Sequence, residues 1–154
     1  MATAQEVAKL RTETGAGVME CKKALQDAGG DYEKAKSLIK ERGLARAAKK
    51  SDREANQGLV ESYIHGGGRI GALVELSSET DFVARNDDFK DLARNIAMQV
   101  AAMEPTDVDE LLKQPYIKDA GKTIGDLVTA LAASTGENVH VRRIARFELG
   151  KAST

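Results

Sequence analysis

The sequence predicts an α+β fold: a three-helix N-terminal module, then a small antiparallel sheet of about three strands packed with helices. Three observations predict it. Apolar residues recur at helical spacing through the first third of the chain, with a capping signal at most starts. β-Rich extended runs begin only at Leu59 and return at the end of the chain. Between them lies one long amphipathic pattern opened by Asn86.

Taken in order, Thr3 with Glu6 makes a capping box, and Val7 and Leu10 begin an apolar stripe that stops before Gly15-Ala16-Gly17. Val18, Cys21, Ala24, Leu25 and Ala28 form the stripe of a second helix ending at Gly29-Gly30. Asp31 caps a third, in which Ala35, Leu38 and Ile39 face inward until Gly43. Three helices of about ten residues each make a very small core. The segment "LARAAKKSDREANQG" (44–58) favours helix, and its mixed charge reads as an exposed connector. The domain boundary is placed there, giving units 1–53 and 54–154.

The second unit opens with strands over Leu59–Ile64 and Arg69–Leu76, joined by a turn at His65-Gly66-Gly67-Gly68. Phe89, Leu92, Ala93, Ile96, Ala97, Val100 and Ala101 then line one face of a helix that Asn86, Asp87 and Asp88 suit as its N-terminus and Pro105 closes. Asp107–Lys113 reads as a helical turn and Gln114–Lys122 as loop. Thr123 with Asp126 starts a helix that buries Leu127, Val128 and Leu131 and ends at Gly136. In the final strand, "NVHVRRIARFEL", alternation puts Val139, Val141, Ala145, Phe147 and Leu149 on one face, with Arg143 as the exception.

Composition excludes several classes of function. Lys and Arg number 23 against 24 Asp and Glu, so no net charge draws the chain to DNA or other nucleic acid. One cysteine, Cys21, rules out an internal disulfide or a CxxC zinc site, and its place on an apolar face reads as a buried thiol. No apolar run approaches the roughly 20 residues that span a bilayer. The opening residues lack the apolar core of a secretory signal, which suggests a reducing, cytoplasmic compartment, or an organelle if a leader has been removed. Neither His65 nor His140 stands at a catalytic spacing, and "HGGGRIG" lacks the lysine and the strand-to-helix setting of a phosphate loop. No cofactor or metal site is expected.

Two features resist a structural explanation. Met19 follows Val18 of the inward stripe, so it should point partly outward, where Arg11 could lie near it. Phe82, in "SETDFVARN", falls outside the stripe of the following helix. It is either a staple packing onto that helix or an exposed probe, with Asp81 beside it to compete for hydrogen bonds or a cation.

The stretches "LRTETGAGVMECKKAL" (10–25), "ERGLARAAKKSDREANQG" (41–58), "YIHGGGRIGALVELSSETDFVARNDDF" (63–89) and "TGENVHVRRIARFELG" (135–150) together resemble the elongation factor Ts family. The resemblance implies an N-terminal helical module of ubiquitin-associated type and nucleotide exchange on the GTPase elongation factor Tu, with no covalent chemistry. It implies that Thr80, Asp81, Phe82 and Val83 enter the GTPase beside its magnesium and nucleotide, and that Arg11, Val18 and Met19 touch its nucleotide-binding domain. Thr135, Gly136, Glu137 and Asn138 are a weaker expected contact. The chain resembles the family's compact, single-core form. Longer members carry a second core subdomain and a C-terminal helical module. Even compact members often have more than Pro105–Gly136 between the long helix and the last strand, which leaves a homodimer open. Two other functions remain: an RNA-binding adaptor using Arg46, Lys49, Lys50 and Arg53, and a ubiquitin-type module confined to the first helices.

Overall fold

The computed structural model describes residues 1–151. Its first third is three helices: α1 (Ala4–Thr14), α2 (Val18–Asp27) and α3 (Tyr32–Lys49). The Thr3–Glu6 capping box forms in both directions, with Glu6 N donating to Thr3 Oγ1 and Thr3 N to Glu6 Oε2. Leu10, Cys21, Ala24, Leu25, Ala35 and Ile39 meet in a small apolar cluster. Val18 is not part of it: in the first turn of α2 it stays exposed, and the buried stripe begins at Cys21.

Helix α3 does not stop at Gly43 but continues to Lys49. Gly43 is buried, and a Cβ there would come within 3.3 Å of the Ala133 side chain. The missing side chain lets a later helix approach closely, which recovers the propensity that glycine loses in a helix interior. Strong helix formers at 44–49 carry the helix on, and Ala47 packs against the second core. The connector is thus the last two turns of a helix that both cores share.

That second core is built on a sheet of order β1-β2-β5, antiparallel throughout: β1 (Gln57–Ile64), β2 (Ile70–Ser78) and β5 (His140–Glu148). Gly58 has φ 135°, and a Cβ there would lie 2.1 Å from the Leu76 carbonyl oxygen, so only glycine fits where β1 crosses the end of β2. After β2 come α4 (Asp81–Ala84), α5 (Asp87–Met103), α6 (Val108–Lys113), β3 (Pro115–Tyr116), β4 (Asp119–Thr123) and α7 (Ile124–Thr135). Every residue expected on the inner face of α5 is buried against the sheet and α7. Among the described residues no helix is long and apolar enough to cross a membrane.

The expected loop at 114–122 is a hairpin, β3–β4. A fully buried Gln99 organises it: its amide nitrogen donates to Gln114 Oε1 and the Pro115 carbonyl, and its oxygen accepts from Ile117 N at 3.0 Å. Strands this short leave no alternation to read.

Strand β5 departs from the expected alternation. Its register on β2 shifts between Leu76, opposite Val141, and Glu75, opposite Arg143, so Arg142 is an extra residue in a bulge. The bulge exchanges the two faces. Val139 and Val141 are buried before it, whereas Ile144 and Arg146 turn inward after it and Ala145, Phe147 and Leu149 are exposed. Arg143 is no exception on an apolar face; it stands on the outer one, 2.8 Å from Glu75. Arg146 caps the end of α5, donating to the Ala101 carbonyl and pairing with Glu104, whose φ of 54° turns the chain out of that helix.

Candidate protein-interaction site

Large apolar side chains reach solvent at two corners named by the sequence. At the first, β2 ends at Ser78 and the chain turns into the single-turn helix α4. Thr80 caps it, its Oγ1 accepting from Val83 N at 3.4 Å. Asn86 then caps α5 by accepting from Asp88 N at 2.8 Å. Squeezed between two caps, α4 has one inward side: Ala84 is buried and Val83 packs on the core. Asp81 and Phe82 take the outward side. Phe82 is 80% exposed, so it is not a staple; Val83 supplies that packing. Asp81 is held by Arg85, with Arg85 Nη2 donating to Asp81 Oδ2 at 2.9 Å, an exposed pair worth about 0–1 kcal/mol and readily broken.

The second corner joins α1 to α2. Gly15, at φ 73°, closes α1, and Gly17 precedes α2 in extended conformation. Met19 is 73% exposed, and Val18 lines an open groove of about 730 Å³ with Val7, Ala8, Arg11, Thr12 and Lys22. Arg11 and Val18 therefore share one groove, with Met19 following Val18 in the same turn of helix. Cys21, behind them, is fully buried.

The loop Thr135–Asn138 faces largely into the molecule. Gly136, at φ 74°, ends α7, and its carbonyl accepts from Lys50 Nζ at 2.8 Å. Glu137 Oε1 accepts from the backbone of Thr80 at 2.9 Å and of Glu79 at 3.1 Å, while Oε2 accepts from Thr80 Oγ1 at 2.7 Å. Asn138 is buried and donates to the carbonyls of Ser51 and Arg53. Neither composition nor periodicity signals these roles, because the partners lie more than fifty positions away in sequence. The basic residues 46–53 are also engaged: Arg46 pairs with Glu20 at 2.7 Å, Arg53 lies 3.8 Å from Glu79, and Lys50 holds Gly136. His65 and His140 are exposed, with His65 Nδ1 3.1 Å from the Tyr63 hydroxyl.

A family model described as elongation factor TS matches residues 79–154, which takes in α4 and everything after it. Elongation factor Ts of Carboxydothermus hydrogenoformans is 44% identical, over 98% of this chain and 90% of its own length. That of Coprothermobacter proteolyticus is 45% identical, over 97% of this chain and 98% of its own. The second alignment runs over 194 positions against 154 residues here, so at least 40 of its positions have no counterpart in this chain. With identity at this level over nearly its whole length, the chain belongs to the elongation factor Ts family.

Proposed function

We propose that this chain is a guanine-nucleotide exchange factor for elongation factor Tu, working in the cytoplasm in translation elongation. One observation carries the reading: in a member of this family, a phenylalanine with an aspartate beside it is held almost wholly in solvent on a turn anchored at both ends. An exposed aromatic on a rigid support is the usual form of an interface anchor.

The mechanism is thermodynamic linkage. A GTPase holds GDP through phosphate-cradling amides and a magnesium ion. A partner that binds the empty form more tightly weakens GDP by the same factor by which GDP weakens the partner. Phe82 wedges into an apolar site of the nucleotide-binding domain. Asp81, released from Arg85, competes for the hydrogen bonds around the partner's magnesium, with Thr80 and Val83 framing the pair. Arg11, Val18 and Met19 give a second contact on the same partner. The division of labour follows the two clusters: residues 1–53 dock, and residues 54–154 carry the exchange turn. No covalent bond changes, so the chain accelerates release without being an enzyme.

The test is the rate of fluorescent GDP release from elongation factor Tu. The intact chain should accelerate it. Phe82→Ala should lose about 2 kcal/mol of that effect, about thirtyfold in rate. No acceleration by the intact chain would sink the exchange reading, and equal acceleration by the variant would remove Phe82 from it.

The sheet favours a homodimer as well. Cross-strand register puts Val60, Ile64, Leu73 and Phe147 on its uncovered face, with Glu75 and Arg143 at one end. An apolar face with both charges at its edge is self-complementary, and a second copy packed sheet to sheet would bury it. Sedimentation should show concentration-dependent dimers that Phe147→Asp abolishes while thermal stability is kept. A wild-type chain that stays monomeric at every concentration would remove the dimer.

A further inference from the structure

Strand pairing ends at Ser78, which leaves the backbone N–H groups of Glu79 and Thr80 without a strand to receive them. Both go to one carboxylate, that of Glu137, whose second oxygen takes the Thr80 hydroxyl. That hydroxyl oxygen accepts in turn from Val83 N, the first hydrogen bond of α4. The Thr80 carbonyl is tied as well, accepting from Ser78 Oγ at 2.8 Å. Each group that sets the path of the chain into Asp81 and Phe82 is therefore fixed to Ser78 or Glu137.

Glu137 is itself immobilised on either side. Gly136 is held by Lys50, and Asn138 by the Ser51 and Arg53 carbonyls at 3.0 and 2.6 Å. All three anchors lie at the end of α3, so the loop joins the helical module, the last strand and the exposed turn at one place. A carboxylate is acceptor-only, and with both oxygens directed to the turn it has little capacity to spare for another molecule.

We infer that Glu137 is a positioning residue for the Asp81–Phe82 turn, its carboxylate setting the direction in which Phe82 leaves the surface. The inference rests on the exchange reading of that turn. Positioning acts on what happens after the partner is engaged, so its loss lowers the limiting rate of GDP release more than it raises the half-saturating concentration. A direct contact would show the reverse, a weaker half-saturation with the limiting rate kept.

The series Glu137→Gln, Glu137→Asp and Glu137→Ala separates the two. Glutamine keeps an oxygen for the two amides and presents an N–H₂ to a hydroxyl that can turn to accept it. Aspartate keeps the charge but is one methylene too short. Alanine removes all three bonds. The limiting rate should fall in that order, to about twofold for Gln and about tenfold for Ala. Amide hydrogen exchange should quicken at Glu79 and Thr80 in the same order, while amides in the middle of α5 keep their protection. Should alanine prevent folding, the Gln-to-Asp step still decides, because charge alone predicts Asp above Gln. Full activity in Glu137→Ala, an Asp variant better than Gln, or a loss confined to half-saturation would each overturn the inference. A wild-type chain that fails to release GDP would sink the exchange reading instead; Glu137 would then be judged by hydrogen exchange alone, and unchanged protection at Glu79 and Thr80 in the Ala variant would overturn it.

Discussion

Phe82 and Met19 are both held in solvent, by different kinds of structure. The corner that carries Met19 is local: every hydrogen bond around it joins residues within five positions, from Gly15 N to the Arg11 carbonyl to Cys21 Sγ to that of Ala16. The turn that carries Phe82 is tied to Glu137 across 57 positions, and through that loop to α3. Methionine has three rotatable side-chain bonds and phenylalanine has two, so the softer support carries the softer residue. A flexible apolar contact on a local corner suits docking that tolerates small changes of fit. A stiff ring on a cross-braced turn suits pushing on a partner, because force against a mobile support would displace the support first.

The largest expected effect tests that division directly. Phe82→Ala should act mainly on the limiting rate of GDP release, by the thirtyfold given above. Met19→Ala should act mainly on the half-saturating concentration, by about fivefold, since a half-used flexible contact is worth about 1 kcal/mol. Titrations of each variant against a fixed amount of the GDP-loaded GTPase measure both parameters at once. If Met19→Ala lowers the limiting rate as far as Phe82→Ala does, the two corners are not distinct in role.

What the residues disclosed on their own was the local part of the structure. The boxes Thr3–Glu6 and Thr123–Asp126 form as read, and the inner face of α5 is the one its periodicity marks. Caps and stripes depend on residues three or four apart, which a sequence displays directly. The misreadings share a different origin. The faces of β5 exchange because of one extra residue, Arg142, measured against β2. Helix α3 passes Gly43 because Ala133 fills the gap, and β3–β4 exists because Gln99 reaches it from α5. Each depends on a partner remote in sequence. The site divides in the same way. Pattern left Phe82 open between staple and probe, and exposure decides it; Glu137 looked like surface until its three bonds were seen.

The smallest expected effect concerns the support of the Met19 corner. Three carboxylates in the helical module bind protons more weakly than usual. The Lys36 ammonium, hydrogen-bonded to Glu13, lowers its pKa, the Arg42 guanidinium lowers that of Asp27, and the Thr3 backbone N–H lowers that of Glu6. A carboxylate whose pKa is lower folded than unfolded adds stability that is complete above the unfolded value and is lost as pH falls through the folded one. The module should therefore loosen as pH drops below about 4, where ordinary Asp and Glu begin to protonate. The change should be slight, because all three groups lie at the surface, where solvent and salt screen such pairs. Cys21 reports it without mutation, being the one cysteine and fully buried among Leu10, Leu25 and Ile39. Its labelling by a dipyridyl disulfide, a reagent that reacts in acid, should speed up between pH 5 and 3 while amides of Phe89 and Ile96 in the second core keep their protection. Simultaneous loss in both places would mean that α3, which packs in both cores, makes them open as one; the local corner would then be as firmly supported as the braced turn.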